Sequence, residues 1–246
     1  TGAPLAHAIT TALKNCPPEK RTIVAAPVFL ERLYEHSVAA ALKSNEITII
    51  PFHTFQELAS KESDEITQIN ASISWDDDIF FIYTSGTTGL PKASKINHLR
   101  FYSAGAMMRI LSHLTLGDRI YCALPLYHSA GGMVAVSAAI QSGCMIVIRP
   151  RFSVRNLLPD IIENGCTVLQ YIGDFARFAL EAGVQRHKTK LRVAFGNGLR
   201  PDVWKKFQNR FDIDRVIEFY GSTEGNANLV NNCGKTGAIG VVPRAL

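Results

Sequence analysis

Ile79-Phe80-Phe81-Ile82-Tyr83, followed directly by Thr84-Ser85-Gly86-Thr87-Thr88-Gly89-Leu90-Pro91-Lys92, decides how the chain is read. The first five residues form an unbroken apolar run of strand length, the mark of a strand buried on both faces. From Thr84 the sequence turns to hydroxyls, glycines and one lysine. Glycine permits positive φ and close backbone approach, hydroxyls donate to anionic oxygens, and a lysine supplies countercharge, a combination that suits a polyphosphate. It is not a Walker loop, because Gly86 and Gly89 do not fit G-x-x-x-x-G-K-[ST] and Lys92 follows a proline. On turn chemistry alone the same composition also fits a Ser/Thr/Gly surface turn.

Outward from this stretch, short β-branched runs alternate with helical patterns. Toward the amino terminus they are a strand at Thr22–Ala25, one helix through Phe29, Leu33, Val38 and Leu42, and a strand at Ile47–Ile50. Toward the carboxyl terminus a helix is expected around Asn97–His113, then strands at Ile120–Leu124, Met145–Ile148, Thr167–Leu169, Leu191–Ala194 and Val216–Phe219. Gly131–Ile148 reads as a buried helix, a turn and a strand. A last helix follows Leu199, with Pro201 in its first turn and Val203, Trp204, Phe207 and Phe211 on one face. Pro159 either kinks the helix expected over Val154–Ile162 or delays its start. The βαβ rhythm predicts an α/β fold of parallel β-sheets covered by helices. Pro51–Asp78, polar and weakly periodic, reads as a linker or long surface connection.

Composition narrows the classes of function. The chain has 246 residues, 47% hydrophobic and 19% charged, enough for a substantial core without disulfides or structural metal. Its 26 Lys+Arg against 21 Asp+Glu are scattered, which argues against nucleic acid as partner. Five cysteines with no Cys-x-x-Cys spacing fit reduced, buried thiols of an intracellular compartment better than bridges or a zinc site. No apolar run reaches the length of about 18 residues that a membrane span needs. The start at Thr1-Gly2-Ala3-Pro4 and the end at Arg244-Ala245-Leu246 look like cut points, so the chain is expected to be a portion of something longer.

Two more segments carry chemistry. Glu218-Phe219-Tyr220-Gly221-Ser222-Thr223-Glu224-Gly225-Asn226 closes a strand with an aromatic, hydroxyls and a carboxylate. A tyrosine ring is a flat stacking surface, and one carboxylate suits Mg²⁺ when phosphates supply the other oxygens. Leu124-Pro125-Leu126-Tyr127-His128-Ser129-Ala130-Gly131-Gly132 places a histidine beside an apolar helix, where it serves either as a hydrogen-bonded structural group or in substrate alignment. Gly196-Asn197-Gly198 is by itself an ordinary turn before a helix, with Pro201 standing where a dinucleotide fingerprint has its third glycine.

Together these segments resemble the signatures of the acyl-adenylate-forming (AMP-binding) superfamily. The wording of Gln170-Tyr171-Ile172-Gly173, Phe195-Gly196-Asn197-Gly198-Leu199-Arg200-Pro201 and Gly234-Lys235-Thr236-Gly237-Ala238-Ile239-Gly240 is similar to that of its fatty acid transport protein / very long-chain acyl-CoA synthetase group. The resemblance implies the core of the large N-terminal domain of such an enzyme. It also implies ATP, Mg²⁺ and coenzyme A as cofactor and co-substrates, and a long- or very long-chain fatty acid as the substrate. Tyr83, Thr84, Ser85, Gly86, Thr87, Thr88, Gly89 and Lys92 would face the phosphates. Gly196, Asn197, Gly198, Phe219, Tyr220, Gly221, Ser222 and Thr223 would bind the nucleotide, Glu224 the metal, and Tyr127 and His128 would sit near the acyl pocket. Thr84, Lys92, Thr223 and Glu224 would act on the reacting phosphate. The resemblance further implies a parent held at the endoplasmic reticulum, peroxisome or plasma membrane through segments outside this chain, and it is compatible with a homo-oligomer. The ribose-binding aspartate, the hinge and the lysine-bearing C-terminal domain have no match after Gly240, so the chain alone is expected to bind nucleotide weakly or not at all and not to turn over. A non-catalytic lipid- or nucleotide-binding fragment or paralogue is the alternative reading.

Overall fold

The computed structural model describes residues 2–14, 16–62, 72–84, 92–225 and 228–241, and the chain divides into two bodies, Thr1–Ile73 with Tyr83–Ala93 and Ser74–Ile82 with Ser94–Leu246. In the first body, strands β1 (Thr22–Ala25) and β2 (Thr48–Pro51) pair in parallel, with Thr22 opposite Thr48 and Ala25 opposite Pro51. Helix α1 (Gly2–Leu13) packs on α3 (His36–Ser44), and Ala6, Ala25, Leu33, Val38, Leu42 and Ile47 form a small core. The single helix expected over Phe29–Leu42 is two, α2 (Pro27–Tyr34) and α3, because Glu35 takes an extended backbone, φ −51° and ψ 134°. Leu33 is then buried from one helix and Val38 and Leu42 from the next. The expected linker Pro51–Asp78 holds a helix, α4 (Phe52–Ala59), none of whose residues is buried. Residues 63–71 of that stretch lie outside the described residues.

Strands β3 (Asp78–Thr84) and β4 (Lys92–Asn97) form a two-stranded sheet. The apolar run of residues 79–83 is therefore a strand but not one buried on both faces: among the described residues β3 pairs with β4 alone, Ile79, Phe81 and Tyr83 are exposed, and only Ile82 is buried. Asn97 then caps α5 (His98–Ser112), its side chain accepting from the Arg100 amide at 2.9 Å. The second body is built on a six-stranded sheet. Its strands are β5 (Arg119–Cys122), β6 (Met145–Ile148), β7 (Val168–Ile172), β8 (Val193–Asn197), β9 (Arg215–Tyr220) and β10 (Leu229–Asn231), in the order β10-β9-β8-β7-β5-β6. All neighbours are parallel except β10, which runs antiparallel to β9 at the edge.

Because successive strand residues point to opposite faces, the buried strands feed two cores. Leu169, Tyr171, Ala194 and Val216 face one layer with helices α7 (Val154–Glu163), α8 (Gly173–Glu181) and α9 (Pro201–Arg210). Val168, Val193, Phe195, Ile217 and Phe219 face the other, with α5 and α6 (Val136–Ser142). Helix α7 starts at Val154, capped by Ser153, so Pro159 lies inside it and does not delay it. Helix α9 begins at Pro201 and buries Val203, Trp204 and Phe207, as its pattern predicts.

At the amino ends of β5, β7 and β8 a polar clasp joins the strands. Asp118, 5% exposed, accepts from the Thr115 amide at 2.8 Å, the Thr167 hydroxyl at 2.7 Å, and Arg192 Nε and Nη2 at 2.8 and 2.7 Å. Arg192 also donates to the Ser112 and His113 carbonyls, closing the end of α5 onto the same point. Desolvation by burial would raise the Asp118 carboxyl, but the bonds from Arg192, Thr115 and Thr167 together outweigh it and bring the group down to about 2.

Candidate functional site

With the clasp at one end, the loops at the carboxyl ends of the parallel strands are where an open α/β sheet receives ligand. Three segments meet there. The chain leaving β5 turns at Pro125, and the His128 amide donates to the Pro125 carbonyl at 3.1 Å. It then enters a π-helical turn, Ser129–Ala135, before α6. The His128 ring caps that turn, Nδ1 accepting from the Ala130 amide at 3.3 Å. From the neighbouring strand β7, fully buried Gln170 donates through Nε2 to the Ala130 carbonyl and accepts from the Cys122 thiol at 3.1 Å. A π turn is a rare, widened form of the helix that recurs at functional sites; here a buried amide holds it in place.

The end of β8 supplies Gly196-Asn197-Gly198. A Cβ on Gly196 would sit 2.1 Å from the Tyr171 carbonyl, and Gly198 has φ +82°, so both positions require glycine. The turn is tied to β9 by Glu218, 4% exposed, which accepts from the Leu199 amide at 3.0 Å and the Tyr171 hydroxyl at 2.5 Å. Burial pushes the Glu218 carboxyl above its ordinary range, and the Tyr171 phenol well above its own.

The end of β9 supplies the third segment. Phe219, 8% exposed, belongs to the core, while Tyr220, on the opposite face, is 60% exposed and free to stack. Past it, the Thr223 hydroxyl lies 3.2 Å from the Ser129 hydroxyl, joining this loop to the π turn. His128, Ser129, Met133, Asn197, Phe219 and Thr223 line one cavity of about 230 Å³ together with Gly221 and Ser222. Tyr127, 82% exposed, is not among its lining residues. A larger cavity of about 540 Å³ shares Met133 and Ser222 and extends along α5 past Arg100, Ala104 and Met107.

Of the remaining expected residues, Tyr83, Thr84 and Lys92 belong to the first body. Thr84 closes β3, its hydroxyl donating to the Lys92 carbonyl at 3.5 Å, and the Lys92 side chain is exposed. Ser85, Gly86, Thr87, Thr88 and Gly89 lie outside the described residues. Glu224 is exposed at the loop tip. Among the described residues no three His, Cys, Asp or Glu side chains gather to hold a metal by themselves. One carboxylate beside a hydroxyl is nonetheless the donor set of a Mg²⁺ that takes most of its oxygens from phosphate and water. Sequence reading missed Gln170 and Glu218 as site supports. A glutamine and a glutamate inside otherwise apolar strands were the available signal.

A sheet of five parallel strands and one antiparallel edge strand, with helices on both faces and a cavity at the carboxyl ends of its strands, defines an open α/β domain. The chain belongs to the AMP-binding enzyme family, whose model matches residues 6–244. It is 42% identical over 173 residues to human long-chain fatty acid transport protein 1, covering 70% of this chain and 27% of that protein. Human long-chain fatty acid transport protein 5 is 42% identical over 174 residues, 70% of this chain and 25% of that protein. The resemblance to the fatty acid transport protein group is therefore borne out, and the chain spans about a quarter of these relatives' length. In fold it is similar to ATP-bound MatB from Rhodopseudomonas palustris, with TM-score 0.77 and 23% identity over 96% of this chain and 47% of that one. The inhibitor-bound N-terminal domain of FACL13 from Mycobacterium tuberculosis gives TM-score 0.75 and 17% identity, covering 95% of this chain and 60% of that domain. The expected fold, the core of an adenylate-forming N-terminal domain, is the one observed. Among the described residues no helix is long and apolar enough to cross a membrane.

Proposed function

We propose that this chain is the nucleotide-facing part of an enzyme that activates long- or very long-chain fatty acids, first to the acyl-adenylate and then to the acyl-CoA. The observation that carries the reading is the convergence of His128, Ser129, Asn197 and Thr223 on one cavity at the strand carboxyl ends, in a chain of the AMP-binding family. In this reading the fatty carboxylate attacks the α-phosphorus of ATP, and pyrophosphate leaves. Tyr220 stacks on adenine, with Gly196-Asn197-Gly198 on its other side. The Ser129 and Thr223 hydroxyls lie 3.2 Å apart; with Ser129 as the donor of that pair, the Thr223 proton would be available to an α-phosphoryl oxygen as negative charge builds there. By the resemblance to the AMP-binding family, Thr84 to Gly89 and Lys92 would take the β- and γ-oxygens. Glu224 would hold Mg²⁺, which would supply neutralisation of the phosphate charge. The thiol of coenzyme A then attacks the acyl carbonyl and AMP departs, with His128 and Tyr127 beside the acyl group. The kinship also suggests a protein that works at a membrane, of the endoplasmic reticulum, peroxisome or plasma membrane, where trapping the ester would assist uptake.

The test is hydroxylamine trapping of the adenylate in the full-length protein that carries this chain, with palmitate against an amino acid. Palmitoyl hydroxamate should form, and Glu224→Ala should lower its rate by about 10²–10³, the usual cost of losing one stabiliser of transition-state charge. Equal rates for Glu224→Ala and the parent, or a preference for the amino acid, would overturn the reading. The chain of 246 residues alone should bind ATP weakly or not at all and not turn over; micromolar ATP affinity by calorimetry together with robust acyl-CoA formation would contradict that part.

A further inference from the structure

Arg100 occupies the third position of α5, in the first turn, after the Asn97 cap. Helix N-termini carry unsatisfied N–H groups and partial positive charge, and an acidic or amide side chain is favoured at this position. An arginine there works against the helix, and its guanidinium does not serve α5. It donates through Nη1 to the Lys95 carbonyl at 2.7 Å, and through Nη2 to the carbonyls of Thr223 at 2.5 Å and Gly225 at 3.0 Å. The buried Ser94 hydroxyl donates to the same Thr223 carbonyl at 3.2 Å. The two loop carbonyls held by Arg100 flank Glu224 on either side, and the Lys95 bond anchors the fork to β4. What that geometry uses is shape: a planar group with donors fixed in direction reaches three carbonyls at once, whereas an ammonium on a flexible stem is a point charge with rotatable donors.

We propose that Arg100 is a positioning residue that sets the Thr223–Glu224 pair for the phosphates and Mg²⁺, acting through the backbone of their loop as a rigid fork and not as a cation toward the nucleotide. The proposal rests on the function proposed above, so its test has one arm that needs no activity. In the isotopically labelled chain without ligand, ¹⁵N relaxation should give rigid amides at Thr223, Glu224 and Gly225, with order parameters of about 0.85, falling below about 0.6 in both Arg100→Gln and Arg100→Lys. Arg109→Gln, an exposed arginine on the same helix, should leave them unchanged. In the full-length protein, both Arg100 variants should lower kcat for adenylate formation about tenfold or more and raise the half-saturating Mg²⁺ concentration, with the KM for fatty acid unchanged.

Arg100→Lys with wild-type loop order, or with wild-type kcat and Mg²⁺ requirement, would overturn the fork and leave charge as the active property. A loop already below about 0.6 in the wild type would overturn it as well. If the wild type forms no adenylate, the proposed function fails while the relaxation arm still decides whether Arg100 holds the loop.

Discussion

Replacing Asp118 by asparagine should unclasp the amino end of the sheet while sparing the site at the other end. The new side-chain amide nitrogen would face the Arg192 guanidinium, so one of the two bonds of the bidentate pair becomes a donor opposite a donor. Breaking one partner of a buried pair costs about 3–5 kcal/mol, and the low end applies because Arg192 is one-third exposed and keeps the Ser112 and His113 carbonyls. At about 2–4 °C per kcal/mol for a protein of this size, a loss of about 3 kcal/mol is a fall in Tm of about 6–12 °C. The pH dependence supplies a separate magnitude. The Asp118 carboxyl goes from 3.8 to about 2 on folding, which corresponds to about 2 kcal/mol of stability. Because the folded value is the lower one, that stability is complete above 3.8 and is lost as pH falls toward about 2. Urea unfolding followed by fluorescence of Trp204, buried in the second body, at about pH 7, 4 and 2.5 measures both. The wild type should weaken steeply below about pH 4, and Asp118→Asn should be weak at neutral pH with a shallower acid limb. A variant within about 0.5 kcal/mol of wild type at neutral pH, the range of an ordinary surface change, would refute the reasoning. So would an unchanged acid limb.

Two further expectations concern the carboxyl end and the thiols. A Cβ at Gly173 would lie 1.7 Å from the Gly198 carbonyl oxygen, a backbone atom that can yield only by moving the glycine turn. Gly173→Ala should therefore cost about 1–3 kcal/mol in stability and weaken nucleotide binding to the full-length protein, whereas Gly183→Ala, which meets nothing within 4 Å but sits at φ +69°, should cost stability alone. Calorimetric unfolding with and without ATP separates the two. Among the thiols, Cys122, Cys144 and Cys166 are buried and Cys233 is exposed. Burial raises Cys122 and Cys144 and takes Cys166 up to about 11, so a thiol reagent at about pH 8 should modify Cys233 rapidly and these three only on unfolding. Rapid native modification of any of the three would count against the packing described.

The parallel strands were legible because burial on both faces leaves an unbroken apolar run, as in Val193-Ala194-Phe195. Strand β4, Lys92-Ala93-Ser94-Lys95-Ile96-Asn97, was not, since only Ser94 and Ile96 are buried and most of the run is polar. The antiparallel β10 has three residues, too few for any pattern. The break at Glu35 left no trace either, because apolar spacing continues across it while the backbone does not. The sequence of helix α4 reads as linker because the stretch Pro51–Asp78 is polar and weakly periodic as a whole, although Phe52, Phe55 and Ala59 keep helical spacing. At the site, the groups that would touch nucleotide stood out as motifs, while the groups that hold them did not. Arg100 meets Thr223 across 123 positions and Gln170 meets Ala130 across 40, and pairings of that range are written in the fold and not in any window of one sequence.

That division has a physical reason. Residues meant for a ligand must present unsatisfied donors and flexible backbone, which show in sequence as hydroxyls and glycines crowded together. Such a loop cannot stabilise itself, so its geometry has to be imposed by groups whose own hydrogen-bonding capacity is spent inside the protein. Gln170, Glu218 and Arg100 each direct their polar atoms at main-chain carbonyls or amides of a different loop: the π turn, the glycine turn and the Thr223–Gly225 segment respectively. Two of them are buried strand residues and the third spends its guanidinium on three carbonyls, so each is committed before any ligand arrives. The clasp at Asp118 secures the opposite ends of β5, β7 and β8, which lets the carboxyl-end loops carry exposed polar groups without the sheet depending on them.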